Sequence, residues 1–233
     1  MRRREGVNWW LSYSDVMSGM VIILVLCLAV VILNVNEKEQ QLTQVQQHLQ
    51  QSEQQVRDII GVKAEIIQEL SAAFRQSNMQ IEIDKQTGAI RIPGSVLFDE
   101  NSAQISPQGE AYLRTFIPKY FGVLLQPKFR NQISAILIEG HTDQQGTYMY
   151  NMQLSQARAL SVLQYIYSDQ FPDFPTRQLA EQYVTCEGWS FTHPIVANNG
   201  QVDQDKSRRV EFLFRLKDDE ALEQIQKLVG GAS

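Results

Sequence analysis

Residues 9–33 read WWLSYSDVMSGMVIILVLCLAVVIL, and this stretch decides the architecture of the chain. Residues 20–33 are all apolar, and the only charged side chain in the stretch is that of Asp15. As a helix the stretch would be about 37 Å long, at about 1.5 Å per residue, against a hydrocarbon core of about 30 Å. The sequence therefore predicts a single transmembrane helix over residues 9–34.

Positive charge is concentrated before the predicted span. Residues 2–4 are three arginines, whereas residues 37–39 read Glu-Lys-Glu. Because an excess of Lys and Arg marks the cytoplasmic side of a membrane, we expect residues 1–8 in the cytoplasm and the rest of the chain on the far side. A cleaved signal peptide is the alternative, but no small-x-small cleavage site follows Leu33, and Asp15 near the start of the apolar core is unusual there.

Asp15 lies roughly 9 Å into the predicted span at helical rise. A carboxylate at that depth is costly unless it has a partner or an aqueous path, and intramembrane carboxylates commonly take part in ion or proton movement. Small and polar residues at positions 12, 18 and 19 share its helix face and suit close packing against another helix. A carboxylate that only snorkels to the headgroup region is the alternative.

Residues 35–78 predict a helical linker. The segment is rich in Gln and Glu, has no proline and contains one glycine, Gly61, a composition that favours a long helix. Apolar residues recur at steps of three and four, with breaks at Ser52 and Lys63, and they are Leu42, Val45, Leu49, Val56, Ile59, Ile66, Leu70 and Ala73. This pattern predicts an imperfect parallel coiled coil and hence a homodimer, with a disordered Gln-rich tether as the alternative.

Residues 79–217 change to alternating strands and helices. Strands are predicted over residues 79–84, 89–92, 134–139, 183–187 and 209–216. Helices are predicted over residues 107–126, with a local interruption near Pro118, and over residues 155–168. Strands separated by helices predict an α/β sandwich, so the chain as a whole is α+β. Residues 218–233 are expected to form a C-terminal tail helix.

Composition excludes several function classes. The net charge is -5 and the sequence pI is near 5.3, and no basic patch large enough for a run of phosphates is visible, so nucleic acid is not an expected partner. His48, His141 and His193 lie in three separate segments and form no metal-ligand spacing. His141, Asp143 and Ser155 lack the surroundings of a hydrolytic triad. We therefore predict no catalytic residue, no metal site and no cofactor.

Residues 10–20, WLSYSDVMSGM, resemble the opening of the transmembrane helix in MotB-type stator subunits of ion-driven motors. In that family the aspartate binds and releases the coupling ion, so the resemblance implies this role for Asp15. Tyr13, Ser14 and Ser18 would support the same membrane face. Since a lone carboxylate with few oxygen ligands around it suits a proton better than a metal cation, we expect H⁺ rather than Na⁺ as the coupling ion.

Two motifs of the C-terminal part resemble the OmpA-like peptidoglycan-binding family. Residues 138–143 read IEGHTD and are followed by Gly146, Asn151 and the run LSQARA at residues 154–159. Residues 207–212 read SRRVEF. Several fixed spacings agree at once, and the resemblance covers about residues 80–217, which implies an OmpA-like domain over residues 79–217.

The resemblance also implies a ligand, the diaminopimelate of the wall's stem peptide. The two family residues that hold it correspond to Asp143 and Arg158, and a zwitterionic end does need a carboxylate for its ammonium and a guanidinium for its carboxylate. Asn151 and Arg209 are expected to shape or line the same pocket. A salt bridge from Arg158 to Asp143 that only braces the loop is the alternative. Ser207 departs from the asparagine common in the family.

A membrane carboxylate, a spacer and a wall anchor together resemble the B subunit of a stator. The resemblance implies a single-pass protein of the bacterial inner membrane, with a cytoplasmic N-terminus and a periplasmic C-terminal domain, that forms a dimer inside a pentamer of a MotA- or ZorA-like multi-span subunit. The short N-terminus, Val16 and the continuous helix are more similar to the ZorB family of the Zorya anti-phage defence system, which implies indirect signalling to cytosolic defence effectors. A flagellar MotB stator and a passive Pal-like tether are the alternatives.

Overall fold

The computed structural model describes residues 9–75, 79 and 81–217, and the side chains of residues 9–15, 52, 55 and 58 lie outside what it describes. The described residues divide into two compact units, one ending at Gln55 and the other beginning at Val56. The predicted cytoplasmic segment 1–8 and the predicted tail helix 218–233 lie outside the described residues. The predicted domain limits at residues 34 and 78 remain predictions.

The first unit consists of the N-terminal part of helix α1, which runs over Trp9–Arg75. Its apolar portion lies within Val16–Gln51, with a mean hydropathy of 3.1 in a window of which nothing is buried inside the chain. In the part of the chain that the structure describes, this is the one helix long and apolar enough to cross a membrane. The single N-terminal apolar helix predicted from the sequence is therefore confirmed, and its surface requires a covering of lipid or protein.

The second unit begins with the last turns of α1, which belong to the core of the C-terminal domain. Ile66, Leu70 and Phe74 follow one another at four-residue intervals and are at most 2% exposed, as expected for one buried face of a helix. Lys128 holds the outer side of the same turns through Glu65, with an Nζ to Oε1 distance of 3.0 Å. The end of α1 is thus fixed by an apolar stripe and an ion pair.

This packing corrects part of the coiled-coil prediction. The heptad pattern predicts Ile66 and Leu70 in a stripe between two chains, but they pack inside their own chain, in the domain core. The spacing of the stripe predicted a buried helix face correctly and could not say which surface buries it. Leu42, Val45 and Leu49, nearer the N-terminus of the helix, are 68%, 58% and 54% exposed, so none of the described residues covers that part of the stripe.

Five strands form one sheet in the described residues, in the order β1-β2-β5-β3-β4. They are β1 Glu82–Ile83, β2 Ile90–Pro93, β3 Ile133–His141, β4 Val184–Gly188 and β5 Arg209–Leu216. The pair β3 and β4 is parallel, and the other neighbours are antiparallel. The helices after α1 are α2 Gly94–Leu97, α3 Pro107–Leu124, α4 Tyr148–Tyr167, α5 Arg177–Ala180 and α6 Gln204–Ser207. Each predicted strand overlaps an observed one, and the α+β class is confirmed.

One face of the sheet carries the core. The register places Ile138 of β3 beside Phe212 of β5, which in turn pairs with Ile90 of β2. Phe116 of α3 meets Phe212 edge to face, with ring centroids 4.8 Å apart, and stacks on Phe74 of α1 at 5.2 Å. Because side chains alternate between the faces of a strand, the neighbouring residues of β3 and β5 point to the opposite face. The domain is therefore a layer of helices on a layer of strands.

Two helix predictions differ from the structure. Helix α3 runs without interruption through Pro118, so the predicted break there is wrong. Proline removes one hydrogen bond from a helix, but the neighbouring residues Ile117 and Tyr120 are fully buried and hold the helix against the core. Helix α4 begins at Tyr148 rather than at residue 155, because the Thr147 hydroxyl caps it by accepting the N–H of Tyr150 at 3.2 Å.

Candidate functional site

A cavity of about 490 Å³ opens where β3 ends and α4 begins. Its lining combines the loop after β3, the first turns of α4, the segment around residues 98–101 and the residue that precedes β5. Three of the four wall-binding residues expected from the sequence, Asp143, Asn151 and Arg158, line it. The structure therefore brings these side chains together around one space.

Asp143 is the buried acid of this cavity, at 8% exposure. One of its oxygens, Oδ1, accepts the N–H of Gln145 at 3.0 Å, which fixes the turn that follows β3. The other oxygen, Oδ2, lies 2.6 Å from Nη1 of Arg208. The hydrogen bond to Asp143 raises the pKa of the Arg208 guanidinium. The acid is thus held in place by its own loop and faces a cation across the cavity.

Arg158 supplies a second guanidinium, which projects from α4 and is 5% exposed. Its Nε donates to the carbonyl of Ser102 at 2.9 Å, and its Cζ lies 5.3 Å from the ring centroid of Phe98, within cation–π range. Burial lowers the pKa of Arg158, and the charge of Asp143 opposes that shift. Arginine remains charged under such shifts, so the cavity holds a fixed positive group.

The expected alternative, a brace between Asp143 and Arg158, is not what the described side chains do. Arg158 bonds Ser102, whereas Asp143 bonds Arg208. Within residues 81–217, no ion pair joins Asp143 to Arg158. Both groups consequently face the cavity without neutralising each other by direct contact.

Asn151 lines the cavity and holds the loop that follows β3. It is 2% exposed, and its Nδ2 donates to the carbonyl of Gln145 at 2.7 Å and to that of Thr147 at 3.2 Å. Between these carbonyls lies Gly146, whose φ of 90° is a conformation that a side chain would strain. Asn151 therefore fixes the loop that presents Asp143.

Arg209 lies elsewhere. It is 5% exposed and pairs with Glu211 on the face of the sheet opposite the helices. Its Nη1 donates to the carbonyls of His193 and Ser207, each at 3.2 Å. The residue is not part of the cavity lining, which contains its neighbour Arg208 instead.

The sequence analysis did not assign a role to Arg208 or to the acidic residues Asp99 and Glu100, all of which line the cavity. Arg208 precedes a residue of the same type, and adjacent side chains of an extended segment point to opposite sides. The motif therefore contained a signal for two different roles. Asp99 and Glu100 also line the cavity beside Asn101, which has a φ of 56°. No motif marks these loop residues.

The structure describes only part of the predicted membrane site. Asp15, Tyr13 and Ser14 are in helix α1, but their side chains lie outside the described part of the chain. Ser18 is described and exposed. The ion-binding role of Asp15 and the supporting role of the other three remain predictions.

Comparison with known proteins gives the class first. Residues 97–208 match the model of the OmpA family. Together with the five strands in the described residues and the cavity at the end of β3, this match defines an OmpA-type domain. Among solved structures, that of a MotB like protein from Desulfovibrio vulgaris is 22% identical, has a TM-score of 0.49 and covers 68% of this chain and 94% of that chain.

Two relatives extend the similarity to nearly the whole chain. The chain is 30% identical over 225 residues to the Zorya protein ZorB of Escherichia coli Crooks, which covers 91% of this chain and 89% of the relative. It is 27% identical over 213 residues to the Zorya protein ZorB of Escherichia coli O139:H28, which covers 90% and 82%. The chain belongs to the ZorB family. The resemblance inferred from the motifs is confirmed.

Proposed function

We propose that the chain is the peptidoglycan-anchored B subunit of an ion-driven stator in the bacterial inner membrane, of the Zorya anti-phage defence type. One observation carries the proposal: a single ZorB relative aligns with 91% of the chain, so that the apolar helix and the OmpA-type domain match together. A wall anchor alone does not require a membrane carboxylate, and an ion path alone does not require a wall anchor. Both are needed where a complex is held still while ions pass.

The wall-binding part of the proposal concerns the cavity at the end of β3. Asp143 offers a carboxylate for an ammonium group, and Arg158 offers a buried guanidinium for a carboxylate. Arg208, at 40% side-chain exposure, is able to leave Asp143 and turn to the same ligand carboxylate. In the stem peptide, the free end of diaminopimelate carries an ammonium and a carboxylate on one carbon, and it would be the ligand.

The membrane part of the proposal concerns Asp15. It is the one charged residue of the 9–33 stretch, and a carboxylate in a span serves ion movement by default. Asp15 would take up and release the coupling ion, which we propose to be H⁺. Tyr13, Ser14 and Ser18 would form the face that packs on the partner subunit.

The assembly part follows the same reasoning. We propose a homodimer whose predicted membrane helices sit inside a pentamer of a ZorA- or MotA-like subunit, with the N-terminus in the cytoplasm and the OmpA-type domain in the periplasm. The exposed residues Leu42, Val45 and Leu49 support a helix pair, since a second copy would cover them. Signals to cytosolic defence effectors would pass through the partner subunit.

A phage-plating assay tests the proposal as a whole. The complete defence operon is expressed with wild-type chain, Asp15→Asn, or Arg158→Lys, and Arg114→Lys serves as control because that arginine bonds Glu110 and Tyr165 away from the cavity. We expect Asp15→Asn and Arg158→Lys to lose protection while Arg114→Lys keeps it. Full protection by Asp15→Asn would leave only a passive tether.

A further inference from the structure

The face of the sheet opposite the helices carries a cluster of ionisable side chains. The register places Glu139 of β3 beside Glu211 of β5, and His141 beside Arg209. One ligand atom each from Glu139, His141 and Glu211 lies within 4.8 Å of the others. These residues belong to two adjacent strands, so the backbone fixes their spacing.

His141 is the member of this cluster that calls for an explanation. It is 3% exposed, and within the described residues neither of its ring nitrogens has a hydrogen-bond partner. Its Nε2 points toward Glu139 but remains 3.5 Å from Oε2. Buried polar atoms in folded proteins are nearly always bonded. A buried imidazole beside two carboxylates, with both nitrogens unbonded, points to a ligand held between them.

The arginines around the cluster leave one carboxylate oxygen of Glu211 free to bind such a ligand. Arg91 and Arg209 both donate to Glu211, and both bonds end on the same oxygen, Oε1. Neither arginine therefore engages Oε2 of Glu211. Burial lowers the pKa of His141, which favours the neutral imidazole, the form in which histidine binds metals.

Although the sequence predicts no metal site, we propose that Glu139, His141 and Glu211 form a binding site for a divalent zinc ion. One imidazole with two carboxylates suits zinc, whereas calcium and magnesium take oxygen ligands alone. Three protein ligands and one open position are a common zinc arrangement. Zinc bonds of about 2.0 to 2.2 Å place tetrahedral ligands roughly 3.5 Å apart, so small rotations of the two glutamate side chains close the site.

The position of this site gives the ion a structural consequence. His141 is the last residue of β3, and Asp143, the acid of the candidate cavity, follows it by two positions. Arg209 of the cluster is likewise adjacent to Arg208, which bonds Asp143. Zinc would hold together the end of β3 and the start of β5, next to the residues that line the cavity. This inference stands independently of the proposed function, because it concerns the opposite face of the sheet.

Isothermal titration calorimetry on the full chain tests the proposal. The chain is purified in detergent micelles without a histidine tag, stripped with EDTA, dialysed and titrated with zinc chloride. We expect one ion per chain with a dissociation constant in the micromolar range or tighter, and a higher melting temperature in the zinc-loaded form, since an ion that binds only the folded state stabilises it. Absence of saturable binding at one ion per chain would overturn the proposal.

Matched variants locate the ion. His141→Asn and Glu139→Gln should each weaken zinc binding at least tenfold, whereas His48→Asn, in the other unit, and Glu110→Gln, which pairs with Arg114 on α3, should leave it unchanged. Unchanged zinc binding in His141→Asn would contradict the site. Asp143→Asn should keep zinc binding while it loses wall-peptide binding, which separates this inference from the proposed function.

Cobalt substitution keeps the test decisive even where a variant fails to fold. Co²⁺ is added to the wild-type chain, and its visible absorption is recorded. We expect an intense four- or five-coordinate spectrum that saturates at one ion per chain and is displaced by zinc. A weak octahedral spectrum like that of the free ion would overturn the proposal.

Discussion

Nη1 of Arg208 lies 2.6 Å from Oδ2 of Asp143, across the mouth of the candidate cavity. The acid expected to bind a ligand ammonium therefore already has a cationic partner in the free chain. A ligand ammonium must share or replace this partner, and the released guanidinium then becomes available for the ligand carboxylate. Ligand binding would therefore replace the ion pair between Asp143 and Arg208 by two ion pairs, one from each of these side chains to the ligand.

This relationship predicts the effect of Asp143→Asn on wall-peptide binding. The change removes the charge that would hold the ammonium, and a hydrogen bond to a charged group is worth about 1.5 to 3 kcal/mol, or about 10- to 150-fold in affinity. Calorimetry with a diaminopimelate-containing muropeptide measures it. Asp205→Asn, which removes the other carboxylate bonded by Arg208, is the control and should change affinity by less than about threefold.

The crossing of α4 over β3 predicts a stability effect at Gly140. A Cβ there would lie 2.0 Å from the carbonyl oxygen of Ser155, so Gly140→Ala forces the helix away from the strand and should cost about 1 to 3 kcal/mol or more in free energy of unfolding. Gly122→Ala in α3 is the control, because no atom lies within 4 Å of the added group. That change should stabilise the helix by roughly 0.5 to 1 kcal/mol. Urea unfolding followed by circular dichroism compares them.

The packing of the end of α1 predicts that Leu70→Ala destabilises the domain. Leu70 is fully buried in the core, and such truncations cost about 2 to 5 kcal/mol. Ile60→Ala, on the same helix but 59% exposed, should change the free energy of unfolding by less than about 0.5 kcal/mol. Equal effects of the two changes in chemical denaturation would mean that α1 ends outside the core.

The turn before β2 predicts a pH-dependent contribution of Asp84. The N–H groups of Thr87 and Gln86 lower the pKa of this carboxyl, with a further contribution from Arg91. A depressed folded-state pKa stabilises the fold above the unfolded value near 3.9, and the stabilisation disappears as the pH falls through the folded-state pKa. Asp84→Asn should therefore be less stable than wild type at pH 7, and the difference should shrink as the pH falls toward 3. Thermal melts of both proteins, taken from pH 7 to pH 3, measure this difference.

Much of the fold could be predicted because local patterns determine it. The turn dipeptide Thr87-Gly88 predicts a hairpin between residues 79–84 and 89–92, and the structure places β1 and β2 on either side of Gly88, whose φ is 75°. The apolar stretch within Val16–Gln51 likewise predicts its own helix. These features depend on neighbours in sequence, which the sequence displays directly.

The remainder depends on which surfaces meet. Ile66 and Leu70 fit a heptad and a packed helix face equally well, and only the tertiary structure assigns them to the domain core. Arg208 and Arg209 are adjacent residues of the same type. Because side chains alternate along an extended segment, Arg208 points to Asp143 in the cavity and Arg209 to Glu211. The candidate site was accordingly predicted at Asp143 and missed at its partner.

Proton flux through the assembled complex tests the central claim most directly. Inverted membrane vesicles that contain the chain with the proposed multi-span partner subunit are energised, and proton movement is followed with a pH-sensitive dye. The proteins compared are wild type, Asp15→Asn and Asp58→Asn, an aspartate of the predicted linker. Our account predicts that Asp15→Asn abolishes the flux while co-purification with the partner subunit persists, and that Asp58→Asn conducts like wild type. Undiminished flux through the Asp15→Asn complex would contradict it.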